Sequence, residues 1–309
     1  MQREKAQFVE RASCITCGSA NIIQIASGRF NDDPLRSFIE NDPWGESPIP
    51  YIADGHWVFV GCGDCTTRFH QRILAPEWVQ RCYSEWVTQE AMEKFLAPQN
   101  TPQTHFNKAR QHVSHVLRLE KLTRQIREGD TVRVLDFGCG WGEFLVMCAR
   151  FGLNGYGIDF APDRRKQGQV SIFSGIEDLQ NGTPNRGMGF FHAITMFEVL
   201  EHLADPLAVL QSLNDLIMPG GVLILETPDC TGVQGIQTIQ DYRAIHPLSH
   251  INSFTPKSLR TIAGYAGFSP INCGVAQVTC DLAKVIKTEA KRALSKLLKP
   301  ATQQYFRKT

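Results

Sequence analysis

The sequence predicts an α/β protein with a doubly wound, mostly parallel sheet, preceded by a small domain organised by four cysteines. From Thr131 onward, apolar runs of four to six residues alternate with helical stretches, which is typical of βαβ units. The first of these runs ends in a glycine-rich loop. Before residue 76 the chain is rich in loop-forming residues and holds two Cys-x-x-Cys pairs instead of long apolar runs.

Length and composition limit the number of domains and the class of protein. A chain of 309 residues corresponds to about two domains, and 42% hydrophobic residues is ordinary for a globular protein. The net charge of +1 excludes a uniformly basic nucleic-acid binder. We find no apolar run long enough for a transmembrane helix and no apolar signal region near the N-terminus, so we expect a cytoplasmic protein. In a reducing compartment, the ten cysteines are expected to be thiols or metal ligands.

We expect three segments: a four-cysteine domain with a helical linker over 1–103, the α/β domain over 104–280, and a basic C-terminal helix over 281–309. In the first, the pattern predicts a strand at His56–Val60 and a helix from Pro76 to about Leu96, and periodicity predicts a further helix over 105–128. In the second, the predicted elements follow in order: strand VRVLDF, helix GEFLVMCARFG, strand YGIDF, strand FHAITMF, a helix from about Pro206, and strand GGVLILETP.

The strongest motif is the loop after the first strand of this second segment. Asp136 ends the strand, and Gly138, Gly140 and Gly142 follow before a helix begins. Glycines allow positive φ angles and a close approach of a ligand to the backbone. A helix N-terminus favours an anionic group.

The acid before the loop argues against a dinucleotide, because a carboxylate there would repel a pyrophosphate. It suits a ligand with an ammonium group. Asp159 ends the next strand, at the position expected to bind ribose hydroxyls. A ligand with a ribose, an amino-acid end and no phosphate is S-adenosylmethionine.

The motifs VLDFGCGWGEF, GIDF, MFEVLEHLADP and PGGVLILETP resemble those of class I S-adenosylmethionine-dependent methyltransferases, in the order found in that family. The ubiquinone-biosynthesis O-methyltransferase-like group and bacterial sugar or natural-product methyltransferases are the most similar. The resemblance implies a Rossmann-like core and the following roles: Asp136 and the backbone of Gly138, Cys139, Gly140 and Gly142 hold the methionine part, Asp159 the ribose and Phe160 the adenine, and Phe197 or Glu198 borders the sulfonium and the substrate.

Two positions depart from the family pattern. No acid occupies the usual adenine-binding place after the third strand, where Glu177 or the backbone N–H of Ile176 is the substitute we expect. His192 stands where an aspartate commonly opens the fourth strand, and we interpret it as a packing or surface residue.

The two cysteine pairs, Cys14 with Cys17 and Cys62 with Cys65, predict a structural zinc site. Two such knuckles provide the four thiolates of a closed tetrahedral site. An iron–sulfur cluster is an alternative, whereas a redox dithiol fits a single pair ahead of a helix. The resemblance agrees, because zinc-binding N-terminal modules recur in related enzymes that act on sugars and secondary metabolites.

The segment EVLEH supplies the candidate catalytic residues. If helical, Glu198, Glu201 and His202 lie close to one face. Three interpretations stay open: His202 is a general base or binds the substrate, the three residues hold a second divalent cation with or without His250, or Glu201 and His202 only brace the loop. His246 and His250 are candidate residues of the substrate pocket.

We therefore expect O-methylation of a small molecule, a sugar, or a glycan or lipid precursor. The alternatives are a metal-dependent RNA 2′-O-methyltransferase and a zinc-ribbon binding module with an inactive methyltransferase domain. Residues 281–309 carry eight basic and two acidic residues, so residues 1–280 carry a net charge of −5, which argues against a nucleic-acid partner. The basic segment 281–299 has two interpretations: an amphipathic helix contacting the inner face of the membrane, or a helix that packs on the domain. The sequence does not predict the oligomeric state.

Overall fold

The computed structural model describes residues 4–126, 131–161, 170–273 and 303–309. In chain order, the strands are β1 (Phe8–Glu10), β2 (Ile22–Arg29), β3 (His56–Cys62), β4 (Arg68–His70), β5 (Arg72–Leu74), β6 (Arg133–Phe137), β7 (Asn154–Ile158), β8 (Ser171–Phe173), β9 (Phe191–Phe197), β10 (Ile217–Glu226), β11 (Asn252–Ser253), β12 (Phe268–Ile271) and β13 (Gln304–Lys308). The helices are α1 (Leu35–Glu40), α2 (Ile49–Ile52), α3 (Pro76–Arg81), α4 (Gln89–Leu96), α5 (Pro102–Thr123), α6 (Glu143–Arg150), α7 (Ile176–Asn181), α8 (Pro206–Leu216), α9 (Ile239–Ala244) and α10 (Pro256–Tyr265).

The chain forms two compact units, and the larger comprises residues 106–200, 205–227 and 259–309. Its seven-stranded sheet has the order β12-β13-β10-β9-β6-β7-β8. Strands β6 to β10 pair in parallel, and β13 is antiparallel to both of its neighbours. The chain runs outward from β6 to β7 and β8, then crosses to β9 and β10 on the other side of β6. This doubly wound order confirms the predicted fold class and places the topological switch point between β6 and β9.

Most predicted elements of this unit lie where the pattern placed them. Strand β9 covers the predicted FHAITMF run, and six of its seven residues are buried. Helix α8 begins at Pro206, because the Asp205 side chain accepts a hydrogen bond from the Ala208 N–H at 3.0 Å and so caps the helix. Helix α10 begins at Pro256, directly after Thr255, whose hydroxyl accepts a hydrogen bond from the Ser258 N–H at 3.2 Å.

The C-terminal prediction is wrong for its last residues. Gln304–Lys308 is a strand, not part of a helix, because Tyr305 and Phe306 are buried and pair in register with β10. The Arg307 guanidinium also donates to the Gly220 carbonyl at 2.6 Å. The predicted amphipathic segment 281–299 lies outside the described residues.

The predicted helix from Pro76 to Leu96 is not continuous. Helix α3 passes into a π-turn over Cys82–Trp86, and α4 starts after Thr88, whose side chain accepts a hydrogen bond from the Ala91 N–H. This local cap competes with continuation of the helix. The connection between α4 and α5 is short, because α4 ends at Leu96 and α5 already begins at Pro102.

The smaller unit comprises residues 1–105, 201–204 and 228–258, so it includes two segments far along the chain from the cysteine pairs. A four-stranded antiparallel sheet has the order β11-β4-β3-β2, and β1 pairs with β5. The predicted strand at His56–Val60 is confirmed as part of β3.

Long-range contacts join these separate segments into one unit. Arg11 donates to the carbonyls of His70 and Ile251 and to the Asn252 side chain, all at 2.6–3.0 Å. The hydrophobic core also draws on both ends of the unit, with Phe30 and Trp57 in one cluster with Tyr242 and other residues of 228–258. Among the described residues, no helix is both long enough and apolar enough to cross a membrane.

Candidate cofactor and metal sites

The glycine loop follows β6 in the larger unit and is tied to the end of β7. Gly138, Gly140 and Gly142 have φ angles of 78°, 57° and 73°. Gly138 cannot be replaced without strain, because its positive φ angle disfavours a side chain and an added Cβ would overlap Val199. The N–H groups of Gly138 and Cys139 donate to the Ile158 carbonyl at 2.8 and 3.0 Å. Space above Gly140 is open, as a closely approaching ligand requires.

Asp159 sits at the carboxyl end of β7, next to this loop. Its carboxylate is buried and accepts hydrogen bonds from the N–H groups of Gly140 and Ala161, each at 2.9 Å. These bonds fix the carboxylate at the edge of the sheet. The adjoining Phe160 side chain is 62% exposed, with one edge toward Phe137 at a centroid distance of 6.0 Å. A large apolar ring exposed beside a fixed carboxylate fits a planar base attached to a ribose.

Asp136 is the buried acid of the site. Its side chain accepts a hydrogen bond from the Thr195 hydroxyl at 2.6 Å. Burial raises the pKa of Asp136 to about 7; the Thr195 hydrogen bond opposes this effect and the charge of Asp159 adds to it. Because no basic side chain among the described residues pairs with this buried carboxylate, the arrangement fits a ligand that brings an ammonium group.

Helix α5 carries two polar side chains that the sequence analysis did not single out. His115 is buried and stacks on Phe197, at the end of β9, with 4.7 Å between ring centroids. Arg118, one turn later, donates to the Gln303 side chain at 3.0 Å, while its Nε is buried without a hydrogen-bond partner among the described residues. The sequence does hold a signal for them: two polar residues, three positions apart, on the apolar face of a helix that periodicity predicts.

The expected adenine-binding residue is not identified by geometry. Glu177 is exposed in the first turn of α7. Its neighbour Asp178 caps that turn by accepting from the Ser174 N–H and hydroxyl at 2.8 and 3.0 Å.

Two further side chains of this unit have packing roles. Cys139 is buried against Gly157, where an added Cβ would meet its sulfur. His192 is buried, and its Nδ1 accepts from the Arg133 N–H at 3.0 Å, which agrees with a packing role.

In the smaller unit, the four predicted cysteine ligands come together. The Sγ atoms of Cys14, Cys17, Cys62 and Cys65 all lie within 4.8 Å of one another. The Cys14–Cys65 and Cys17–Cys62 sulfur pairs are 3.4 and 3.6 Å apart. Sulfurs bound to tetrahedral zinc are about 3.8 Å apart, given Zn–S bonds of about 2.3 Å. The four sulfurs therefore fit a single zinc ion.

The second candidate metal group consists of Glu201, His202 and His250. One ligand atom from each lies within 4.8 Å of the others, and Glu201 is only 1% exposed. The Nδ1–H of His202 donates to the Ser249 carbonyl at 2.9 Å, which leaves Nε2 with its lone pair. Nδ1 of His250 is buried without a hydrogen-bond partner among the described residues. Burial lowers the pKa of both imidazoles, to about 3 for His250, so both rings are in the neutral form that binds metals.

Glu198 does not share a helical face with the other two residues of EVLEH, contrary to the expectation. Its φ of 54° is left-handed, and the short 3-10 turn begins only at Leu200. A left-handed residue interrupts the i, i+3, i+4 relation.

His246, the other candidate substrate residue, lies in a buried hydrogen-bond network. Its Nδ1 accepts from the Leu248 N–H at 3.1 Å, and its Nε2 lies 2.7 Å from the Tyr242 hydroxyl and 3.0 Å from Asp42 Oδ2. Both ring nitrogens thus have protein partners.

The chain is similar to known methyltransferases. The family model for the methyltransferase domain matches residues 85–272. A ubiquinone biosynthesis O-methyltransferase from Xanthomonas campestris pv. campestris (strain B100) is 37% identical over 105 residues, 31% of this chain and 42% of the relative. The enzyme of the same name from Xanthomonas euvesicatoria pv. vesicatoria (strain 85-10) is 36% identical over 126 residues, 38% of this chain and 51% of the relative. The chain thus spans about half, or less, of these relatives. A solved S-adenosylmethionine-dependent methyltransferase from Archaeoglobus fulgidus is 19% identical, with a TM-score of 0.40 over 67% of this chain and all of that one.

Proposed function

Because the chain belongs to the methyltransferase-domain family, as a class I S-adenosylmethionine-dependent member, we propose that it methylates a hydroxyl oxygen of a small molecule, a sugar, or a glycan or lipid precursor. The observation that carries the proposal is the cradle around the β6 end, where a buried acid, an open glycine loop and a fixed carboxylate surround the switch point. The 36–37% identity to ubiquinone biosynthesis O-methyltransferases favours oxygen as the acceptor atom.

We assign the cofactor contacts as follows. Asp136 receives the methionine ammonium, and Arg118 the methionine carboxylate. Asp159 accepts hydrogen bonds from the ribose hydroxyls, Phe160 lies against the adenine with Glu177 or the Ile176 N–H nearby, and Phe197 borders the sulfonium. Each group thereby meets its chemical complement: an acid meets an ammonium, a guanidinium meets a carboxylate, and an exposed ring meets a base.

The transfer itself depends on alignment. The bound cofactor supplies an electrophilic methyl group on a sulfonium. Residues of the protein hold the sulfonium fixed so that an acceptor oxygen can approach in line with the methyl–sulfur bond. A hydroxyl acceptor must also lose its proton, and a neutral imidazole is suited to accept it.

We assign this step to the group of Glu201, His202 and His250. Nε2 of His202 and Nδ1 of His250 are both available as lone pairs beside a buried carboxylate. Such a set either takes a proton directly or holds a divalent cation that lowers the pKa of a bound hydroxyl. We favour the cation, because two imidazoles and one carboxylate are the donors that Mn²⁺, Fe²⁺ or Zn²⁺ prefers, whereas Mg²⁺ prefers oxygen. Measurement of the metal content of variants distinguishes this assignment from the alternative, in which His202 acts alone as a base.

We propose a structural role for zinc at the four cysteines. The Thr16 N–H approaches the Cys14 sulfur at 3.4 Å, and the Cys65 N–H approaches the Cys62 sulfur at 3.5 Å. Such N–H to sulfur contacts stabilise thiolates. A site of four cysteines has no open position for a substrate, so its effect is on folding.

The cofactor assignment is tested by Asp159→Ala. Loss of a charged hydrogen-bond partner of the ribose is expected to weaken binding of S-adenosylhomocysteine by about tenfold to a hundredfold. Titration calorimetry measures this directly. Asp215→Asn, an exposed aspartate of the same unit, is the matched control and should bind as the wild type does. Unchanged affinity in Asp159→Ala would contradict the assignment.

The metal assignment predicts that Mn²⁺ or Co²⁺ binds in addition to the four-cysteine zinc. His250→Ala and Glu201→Gln should each lose this second ion while retaining zinc, as measured by elemental analysis after dialysis. Glu198→Gln should keep both ions, because Glu198 lies outside the ligand group. If no variant alters metal content but His202→Ala still lowers transfer to a hydroxyl acceptor by about 10²–10⁴-fold, His202 acts as a base without metal.

A further inference from the structure

His115 lies at the switch point of the cofactor unit and is not explained by packing alone. The ring is 2% exposed, stacked on Phe197 at the end of β9 and edge-on to Phe144 at 6.0 Å. Its Nδ1 is buried without a hydrogen-bond partner among the described residues. A buried polar atom left unsatisfied is costly, so such an atom at a ligand site is commonly satisfied by the ligand.

The position of His115 indicates which part of a ligand it meets. Asp159 lies at the end of β7, on one side of β6, whereas Phe197 and His115 lie at the end of β9, on the other side. Neighbouring strands are about 4.8 Å apart, so these strand ends are separated by roughly 10 Å. A ligand whose ribose is held by Asp159 and which crosses the glycine loop therefore presents its opposite end, the amino-acid part, to His115.

We propose that His115 is a cofactor-binding residue that hydrogen-bonds the amino-acid end of the S-adenosyl ligand through Nδ1. This inference rests on the proposed function and adds a contact to it. The imidazole is held neutral, because burial and the charges of Arg118 and His112 lower the pKa of His115 to about 3. It therefore adds a hydrogen bond without adding a positive charge beside a sulfonium.

Two ligands separate this role from packing. S-adenosylhomocysteine carries the amino-acid part, and 5′-methylthioadenosine has the same nucleoside and thioether without it. His115→Phe keeps a ring to stack on Phe197 and removes both nitrogens. We expect it to weaken binding of S-adenosylhomocysteine by about 5- to 30-fold and to change binding of methylthioadenosine by less than about twofold.

Two further variants sharpen the test. His115→Asn places an amide near the position of Nδ1, so it should recover most of the lost affinity. His112→Phe, one turn earlier on α5 and also in ring contact with Phe144 at 5.8 Å, is the matched control and should bind both ligands as the wild type does. Equal losses for both ligands in His115→Phe, or no loss for either, would overturn the inference.

A measurement on the wild-type protein covers the case in which the variants fold poorly. With ¹⁵N-labelled histidine, the Nδ1 resonance of His115 should shift when S-adenosylhomocysteine binds and stay in place when methylthioadenosine binds. If both ligands bind without moving that resonance, the inference is wrong and the proposed function stands. If wild-type protein binds neither ligand, the proposed function itself fails and the inference with it.

Discussion

Replacing Cys14 with serine is expected to release the zinc ion and to loosen the face of the β2–β3–β4 sheet that packs on the four cysteines. The small cluster there contains Val58, Val60 and Phe69, and its other two buried members are the proposed zinc ligands Cys14 and Cys62. Once the metal is lost, few apolar side chains hold this face of the sheet, whereas Trp57 and Phe59 stay packed in the larger cluster. Structural zinc in small modules contributes on the order of 10 kcal/mol or more at neutral pH.

Hydrogen exchange measures the effect. Amides around Cys62, at the end of β3, should lose protection in Cys14→Ser or after removal of zinc by a strong chelator. Cys82→Ser changes another buried thiol of the same unit and should keep one zinc per chain. Binding of S-adenosylhomocysteine should persist, because the cofactor residues belong to the other unit. Undiminished protection in β3 of the zinc-free wild-type protein would contradict the structural role. Iron instead of zinc in the metal-replete protein would assign the four cysteines to an iron–sulfur cluster.

The sequence predicted those features that depend on neighbouring residues. The strand, glycine loop and helix at 132–150, and the start of a helix near Pro206, are set by local backbone preferences and could be located without a structure. The cysteine pairs were equally clear, since the knuckle spacing itself brings two sulfurs to one point.

Features that depend on distant residues were missed. The smaller unit recruits 228–258 through contacts such as Arg11 to Asn252, which no local pattern records. Strand β13 has no local signal in the sequence, because its partner β10 lies about 80 residues earlier in the chain. The break at Glu198 follows from a single left-handed residue, a conformation that glutamate rarely adopts. The arrangement of the candidate metal group was therefore the least predictable part, since it depends on this break and on His250 from another segment.

Asp136→Asn is expected to stabilise the cofactor-free protein and to weaken cofactor binding. The folded-state pKa of Asp136 is raised to about 7 from an ordinary value of 3.8, mainly by burial. The folded state thus binds more protons than the unfolded state between about pH 4 and 7, so the free energy of unfolding falls as pH rises through this window. Below pH 4 both states are protonated and no penalty exists. Asparagine removes the titration, and its stabilising effect should grow from pH 4 to pH 8, reaching about 2–4 kcal/mol.

The cofactor reverses the preference, because an ammonium group requires the ionised carboxyl. Wild-type affinity for S-adenosylhomocysteine should therefore fall as pH drops below about 7, and Asp136→Asn should bind at least tenfold more weakly at pH 8, with little of this pH dependence. Thermal unfolding of the cofactor-free protein and calorimetry across pH 5–8 measure the two effects separately. Because stability and affinity move in opposite directions, a variant that merely damages the fold cannot reproduce the result. An Asp136→Asn protein that is less stable than wild type at pH 8 would show that this carboxyl is not destabilised by burial. A variant that binds the ligand as well as wild type would show that the carboxyl is not a partner of the ammonium.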